Sequence, residues 1–261
     1  MAGERRALVT GASAGIGRTF AEQLAARGTD LVLVARDGAR LESLAADLRT
    51  RFGVEAEVLP ADLLDATEIE TVAARLGDSE KPVDLLVNNA GMGTFGHFAD
   101  LDVQQELREI QLNVLALVRL THAGLAAMEA RGSGAVVNIS SLAAYQPSPD
   151  SAVYSATKAF VNSFTHAVHE EAADKGVHVM AVCPGYTHTE FHDRAGLGTT
   201  QIPEMLWQSS DEVVRAALHD LDRRRSVSIP GAMNKTAAAF SSTAPAGVSR
   251  KVARMVIKRS G

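Results

Sequence analysis

Tyr154 and Lys158 stand four residues apart in SAVYSATKAF. In a helix, that spacing puts a phenol and an ammonium on one face. An ordinary tyrosine has a pKa of about 10, a poor match to proton transfer near neutrality, and a neighbouring cation stabilises its phenolate. The pair can therefore be an acid–base device, or two unrelated residues of a surface helix. Ser140 and Ser141 close the apolar run GAVVNISS, where a hydroxyl can meet a substrate carbonyl. Strand alternation points the two serines in opposite directions, so only one of them can do so. Asn113 interrupts the apolar run IQLNVLALV and asks for a buried partner, either a backbone carbonyl of the core or the water of a proton relay.

The elements that position these residues alternate. Short β-branched runs (RALVT, DLVLVAR, EAEVLPADL, VDLLVNNAG, GAVVNISS, HVMAVCPG) are separated by helical stretches near 16–28, 38–52, 66–77 and 101–130 and by the Tyr154 helix. VSIPG, residues 227–231, offers a final strand. Several runs are apolar on both faces, which predicts an α/β fold with a doubly wound parallel sheet between helices. Neither a Pro/Gly-rich linker nor an internal repeat divides residues 1–261, so one domain is expected.

TGASAGIG follows the first strand and opens the first helix. Gly11 permits a tight turn, Gly15 a close ligand approach and Gly17 tight helix–strand packing, while free N–H groups around Ser13 and Ile16 can hold a pyrophosphate. The spacing is not G-x-G-x-x-G, and a structural turn is the plain alternative. At the end of the second strand Arg36 precedes Asp37. A guidanium-type cation there pairs with a 2′-phosphate and selects NADP(H) over NAD(H), whereas an inward Asp37 would favour the unphosphorylated ribose. A salt-bridged surface arginine is the alternative, and Ala14 leaves the glycine loop without a second cation. Asp62, next to Leu63, can accept a hydrogen bond from adenine. NNAG places Asn88, Asn89, Ala90 and Gly91 where backbone can lie against a cofactor. With an oxidised nicotinamide close by, the Tyr154 phenol would fall further, and Lys158 could also bond the nicotinamide ribose.

These pieces together resemble the short-chain dehydrogenase/reductase family in its compact 250-residue form. TGASAGIG, Asp62, NNAG, Asn113, NISS, YSATK and PGYTHT follow one another in the family's order from about residue 5 to 190. Tyr154 lies 13 positions after Ser141 and 41 after Asn113, the family's spacings, and the first selects Ser141 over Ser140. The resemblance implies a Rossmann-like, seven-stranded parallel sheet and an Asn113–Ser141–Tyr154–Lys158 tetrad without a metal. In that scheme Tyr154 exchanges the proton with the carbonyl oxygen, Ser141 polarises the carbonyl, and Lys158 lowers the phenol pKa and binds ribose. Asn113 holds a relay water, and hydride passes between nicotinamide and the substrate carbon. Pro184, Gly185, Thr187 and Thr189 are implied cofactor contacts; Thr187 stands where the family often has isoleucine.

The substrate wall is expected from Met92, Phe95, Tyr145, Pro147, Tyr186, Phe191 and Trp207. Their apolar character suits an aliphatic or bulky ketone, or the matching secondary alcohol. The resemblance extends to bacterial ketoacyl-reductase-like and steroid-dehydrogenase-like members, so a 3-oxoacyl thioester reductase is an alternative. A non-catalytic nucleotide sensor or scaffold is another. Residues around 190–212 read as a lid over the substrate. His188 and His192 have no third ligand with which to hold zinc. A formal charge of −5 disfavours nucleic acid. The lone Cys183 and the absence of a signal-like start suit a cytoplasmic protein. A homodimer or homotetramer is expected from the resemblance. The extension 232–261 ends in SRKVARMVIKRSG, with five basic and no acidic residues. It can form an amphipathic helix against this subunit, a partner or an anionic membrane surface.

Overall fold

A computed structural model of the chain describes residues 6–191, residue 195 and residues 203–243. Strands β1 (Arg6–Thr10), β2 (Asp30–Ala35), β3 (Ala56–Pro60), β4 (Leu85–Asn88), β5 (Gly134–Ile139), β6 (Val177–Val182) and β9 (Val227–Ser228) form one parallel sheet. Its order is β3-β2-β1-β4-β5-β6-β9. The chain reverses direction across the sheet between β1 and β4, and such a switch point opens a crevice at the carboxyl ends of the strands. A separate two-stranded ribbon pairs β7 (Thr187–His188) with β8 (Gln208–Ser209). The fold is α/β and Rossmann-like, as the alternating pattern predicts.

Both faces of the sheet are buried. On one side Val9, Leu31, Leu33, Val137 and Val182 pack with Phe20, Leu44 and Leu218 from α1 (Gly15–Ala25), α2 (Gly38–Phe52) and α7 (Ser210–Asp222). On the other, Leu8, Val32, Leu86, Val136 and Val179 pack with Val72, Leu120 and Val168 from α3 (Ala66–Leu76), α5 (Leu117–Arg131) and α6 (Ala152–Ala173). Local chemistry sets the helix ends. Asp37 caps α2 through the Arg40 N–H, Asp65 caps α3, and Ser209 with Glu212 forms a reciprocal capping box on α7. Gly53 and Gly132 end α2 and α5 in the left-handed conformation.

The stretch expected as one helix over 101–130 is three pieces: α4 (Val103–Ile110), a π-helical segment (Gln111–Ala116) and α5. The wider turn falls on Asn113 and frees local backbone groups from the regular ladder. Val103–Arg131 is long and apolar enough in composition to span a membrane, yet its α5 part lies against β4, β5 and α3. Helix α4 is inverted relative to an ordinary surface helix: Val103, Leu107 and Ile110 face solvent while Glu106 and Glu109 are buried.

A buried polar ladder locks the sheet under the site. Asn88 Nδ2 donates to Thr121 Oγ1 and to Asn138 Oδ1, and Asn138 Nδ2 donates to Thr165 Oγ1, each at 3.0 Å. It couples β4 and β5 to α5 and α6. Asn138→Leu strands one Asn88 N–H in the core and should cost about 1–3 kcal/mol. Urea unfolding read by circular dichroism checks this; an unchanged midpoint would contradict it.

Candidate active site

The carboxyl end of β1 meets α1 through the glycine loop. Gly11 has φ +65°, and a Cβ there would lie 2.7 Å from Asn89 Nδ2. A Cβ on Gly17 would run into Asn89 Nδ2 and Gly11 O. Asn89 is the clamp: its Nδ2 donates to Thr10 O at 2.9 Å and to Gly11 O at 3.3 Å. The backbone N–H groups of Asn89 and Ala90 both donate to Thr10 Oγ1. No side chain caps α1, and no acidic residue occupies its first turn, so its N–H groups are available to an anion. Thr189 stands directly against the loop, its methyl 3.0 Å from where a Gly15 Cβ would be. These features fit a dinucleotide pyrophosphate.

Beside the loop lies a cavity of about 690 Å³ lined by Ser13, Gly15, Arg18, Arg40, Arg51 and Glu190 among others. Ala14 removes a cation from the loop itself, yet the fold brings three guanidinium groups to this cavity. Arg18 pairs with Glu22, Arg51 with Asp47, and Arg40 with Asp37 and Glu190. Arg36 is exposed at the end of β2. Asp37 does not turn inward, because its carboxylate accepts the Arg40 N–H at 3.0 Å. Asp62 Oδ1 accepts the Leu64 N–H at 3.0 Å, and the neighbouring Leu63 is core. Thr187 is buried and donates to Gly185 O, while Pro184 O accepts from Leu142 N.

The four residues expected to react converge at the ends of β4 and β5. Lys158 is buried, and its Nζ donates to Ile139 O at 3.0 Å and stands 5.8 Å from the Tyr154 ring centroid. A Cβ on Gly91 would lie 3.1 Å from Asn113 Oδ1 and 3.6 Å from Lys158 Nζ, so both groups border the same glycine. Asn113 Oδ1 accepts Met92 N–H at 3.0 Å, and its Nδ2 donates to Met92 O at 2.9 Å and Thr157 Oγ1 at 3.2 Å. The two serines separate as strand alternation requires. Ser140 is buried and donates to Lys158 O at 3.0 Å, whereas the Ser141 hydroxyl neighbours the Tyr154 phenol.

Without a cofactor's charge the Tyr154 phenol is pushed up to about 12. Burial is the main cause, Ser141 pulls the other way, and nearby Glu109 and Tyr186 add to the rise. Lys158 is pushed down to about 8 by the same burial, against Glu109 and Cys183. Desolvation, which disfavours phenolate and ammonium alike, is the largest cause of both shifts. The resting phenol therefore holds its proton at neutral pH.

Phe95 and Phe191 flank Tyr154, with ring centroids 5.9 and 5.7 Å away. Tyr186 is near enough to couple electrostatically to that phenol. Trp207 forms a second row, stacked on His188 at 4.6 Å and tilted against Tyr186 at 5.6 Å. Met92 reaches the site through its backbone bonds to Asn113. The remaining two wall candidates are Tyr145 and Pro147. The Tyr145 hydroxyl turns to Cys183 Sγ at 3.8 Å. Tyr145 and Pro147 line a separate groove of about 460 Å³ with Ala152, Ser155 and Ala159, a different face of α6 from Tyr154 and Lys158. Residues 192–194 and 196–202 of the expected lid, including His192, lie outside the described residues, as does the basic tail beyond residue 243. Glu109, Arg18 and Arg40 were not legible as site residues; only the four-residue spacing of Glu109 from Asn113 hinted at one.

A Cβ on Gly93 would lie 2.9 Å from Phe191 Cζ, 3.2 Å from Tyr154 Cδ2 and 3.4 Å from Phe95 Cε2. Gly93→Ala should therefore displace the rings and lower kcat/KM about tenfold or more while leaving cofactor affinity near wild type, because misplaced reacting groups cost rate steeply. Steady-state kinetics with cofactor titration by fluorescence checks the split; parallel loss of both would place Gly93 in the fold instead.

Residues 5–198 match the family described as short chain dehydrogenase. The very-long-chain 3-oxoacyl-CoA reductase of Bos taurus is 36% identical over 188 residues, 70% of this chain and 60% of the relative. The chain thus spans well under the full length of that curated relative. Among solved structures, a short-chain dehydrogenase from Sphingobium yanoikuyae in complex with NADPH is 40% identical. The match covers 92% of this chain and 96% of that one with a TM-score of 0.84. The bulky-bulky ketone specific alcohol dehydrogenase from Comamonas testosteroni is 36% identical, with 92% and 95% covered and a TM-score of 0.79. With the glycine loop, the parallel sheet and the Asn113, Ser141, Tyr154 and Lys158 geometry already in place, these matches mean that the chain belongs to the short-chain dehydrogenase/reductase family.

Proposed function

We propose that the protein is an NADP(H)-dependent oxidoreductase that interconverts a ketone and its secondary alcohol, with Tyr154 as the proton-exchanging group. The observation that carries this reading is the protonated phenol of Tyr154 set between the Ser141 hydroxyl and the Lys158 ammonium, at the switch-point crevice beside an uncapped helix start. Ser141 orients the carbonyl, and Tyr154 donates its proton to the oxygen as negative charge develops there. Lys158, anchored on Ile139 O, supplies positive charge behind the phenol. Asn113 fixes Met92 and, with it, the loop that carries Gly93 and Phe95. When bound, NADPH would supply the hydride. A sensor or scaffold would have no need of this set.

A 3-oxoacyl thioester is the substrate class the curated relatives favour, since the bovine protein carries that activity in its name. The Phe95, Phe191 and Tyr186 wall supports an apolar chain next to the ketone. A bulky ketone without a thioester is the second reading, favoured by the Comamonas testosteroni enzyme and by the same aromatic wall. NADP(H) is favoured by the NADPH complex of the Sphingobium yanoikuyae enzyme and by the exposed Arg36, with Asp37 committed to capping α2. The solvent-facing Val103, Leu107, Ile110, Leu115 and Phe160 suit a second copy of the chain. The buried, unpaired Cys183 is in keeping with a reducing cytoplasm.

Tyr154→Phe should lower kcat by about 10²–10⁴-fold, the usual contribution of a positioned acid, with NADPH affinity retained in a fluorescence titration. Turnover equal to wild type would remove the proton-transfer role. Arg36→Ala should weaken NADPH binding by about ten- to a hundredfold, the worth of a charge-assisted contact, and leave NADH unchanged. Equal effects on both cofactors would remove Arg36 as the selector. A panel pairing long-chain 3-oxoacyl-CoA with bulky aryl ketones, each with NADPH, separates the two substrate readings. The thioester should give the higher kcat/KM, and preference for the aryl ketone would favour the second.

A further inference from the structure

Helix α4 turns its acidic residues inward. Glu109 is fully buried and Glu106 nearly so, while the aliphatic residues of the same helix face solvent. Burying two carboxyls is costly and calls for a reason. Glu109 lies one turn before Asn113, and its Oε2 accepts the Thr94 hydroxyl at 2.7 Å. Its Oε1 stands 3.5 Å from Asn113 Nδ2. Asn113 and Lys158 both border Gly91, so the carboxyl belongs to the polar cluster that holds the reacting pair. Thr94 sits between Gly93 and Phe95 of the substrate wall, and Gly96 N–H donates to Asp150 O at the turn leading into α6. Asp150 keeps a left-handed φ of +60° there.

We propose that Glu109 is a buried counter-charge and positioning residue for Tyr154 and Lys158: its carboxylate, held by Thr94 and Asn113, keeps the ammonium charged and the phenol protonated, biasing the site toward giving a proton to a carbonyl. This rests on the reading of Tyr154 as the proton-exchanging residue.

The charged groups that face Glu109 are Glu106 on its own helix and Lys158 and Tyr154 on α6. Burial pushes Glu109 up to about 7; Thr94 and Lys158 pull it down, and Glu106 adds to the rise. The carboxyl thus changes charge within the physiological range. Once ionised, it opposes loss of a proton from both Lys158 and Tyr154. Glu109→Gln keeps the shape and an acceptor for Thr94 but removes the charge, so both neighbours should release protons at lower pH.

The test measures kcat/KM against pH in both directions for wild type, E109Q, E109D and Y154F. In E109Q the alkaline limb of ketone reduction and the acid limb of alcohol oxidation should both move down by about one pH unit, the effect of a unit charge at close range in a protein interior. E109D, which restores the charge, should bring both limbs back toward wild type. Melting temperatures give a second readout without turnover. A carboxyl whose folded pKa is raised contributes stability below its unfolded pKa and loses it as pH rises through about 7. The advantage of E109Q over wild type should therefore grow from pH 5 to about 7 and level off above it. Unmoved limbs with a uniform fall in kcat, or a pH-independent melting difference, would overturn the proposal. An inert Y154F beside unmoved E109Q limbs removes the Glu109 role alone, whereas an active Y154F removes the reading beneath it.

Discussion

The paired hydrogen bonds between the Asn113 side-chain amide and the Met92 backbone hold the two halves of the site together. One half is the loop that leaves β4, with Gly91, Gly93 and Phe95. The other is α6, which Asn113 reaches through Thr157 and which carries Tyr154 and Lys158. The π-helical turn supplies the local geometry in which this amide sits. A planar amide that satisfies both its donor and its acceptor against one residue fixes distance and orientation together. Asn89 performs a similar service on the opposite side of the crevice, fastening the glycine loop to β4. The site is thus built from two amide clamps on the edges of one strand end.

The electrostatics follow from that enclosure. A phenol beside an ammonium in water would be expected to ionise more readily, but here both groups are desolvated and each is driven toward its neutral form. A protonated phenol is the form that reduction requires, and a bound nicotinamide's positive charge is what would favour phenolate for oxidation. Burial of the pair makes the protonation state responsive to whatever charge enters the crevice.

Much of this was legible in the residues. The strands apolar on both faces predicted the parallel sheet, and the positions of Gly11, Gly15 and Gly17 predicted the loop that Asn89 and Thr189 approach. The 13-residue interval from Ser141 to Tyr154 is what the resemblance used to distinguish the two serines, and Ser140 donates to Lys158 O in the core. The Tyr145 bond to Cys183 was not legible, because side-chain direction in a 3-10 turn depends on tertiary partners and carries no periodic signal. The rise of the resting Tyr154 phenol was not legible, because pairwise charge is visible in a helix spacing while desolvation is not. The burial of Glu106 and Glu109 carries no signal in the sequence, since hydropathy alone assigns acids to water; in α4 the aliphatic side faces out instead.

The central claim is that this crevice carries hydride to a ketone while Tyr154 supplies the proton. NADPH labelled with deuterium at one or the other face of nicotinamide C4, incubated with a long-chain 3-oxoacyl thioester, tests it most directly. The carbinol carbon of the product should carry deuterium from one labelled form and not from the other, and the transfer should be lost in the Tyr154→Phe variant. Unlabelled product from both forms, or undiminished transfer without the phenol, would contradict the account.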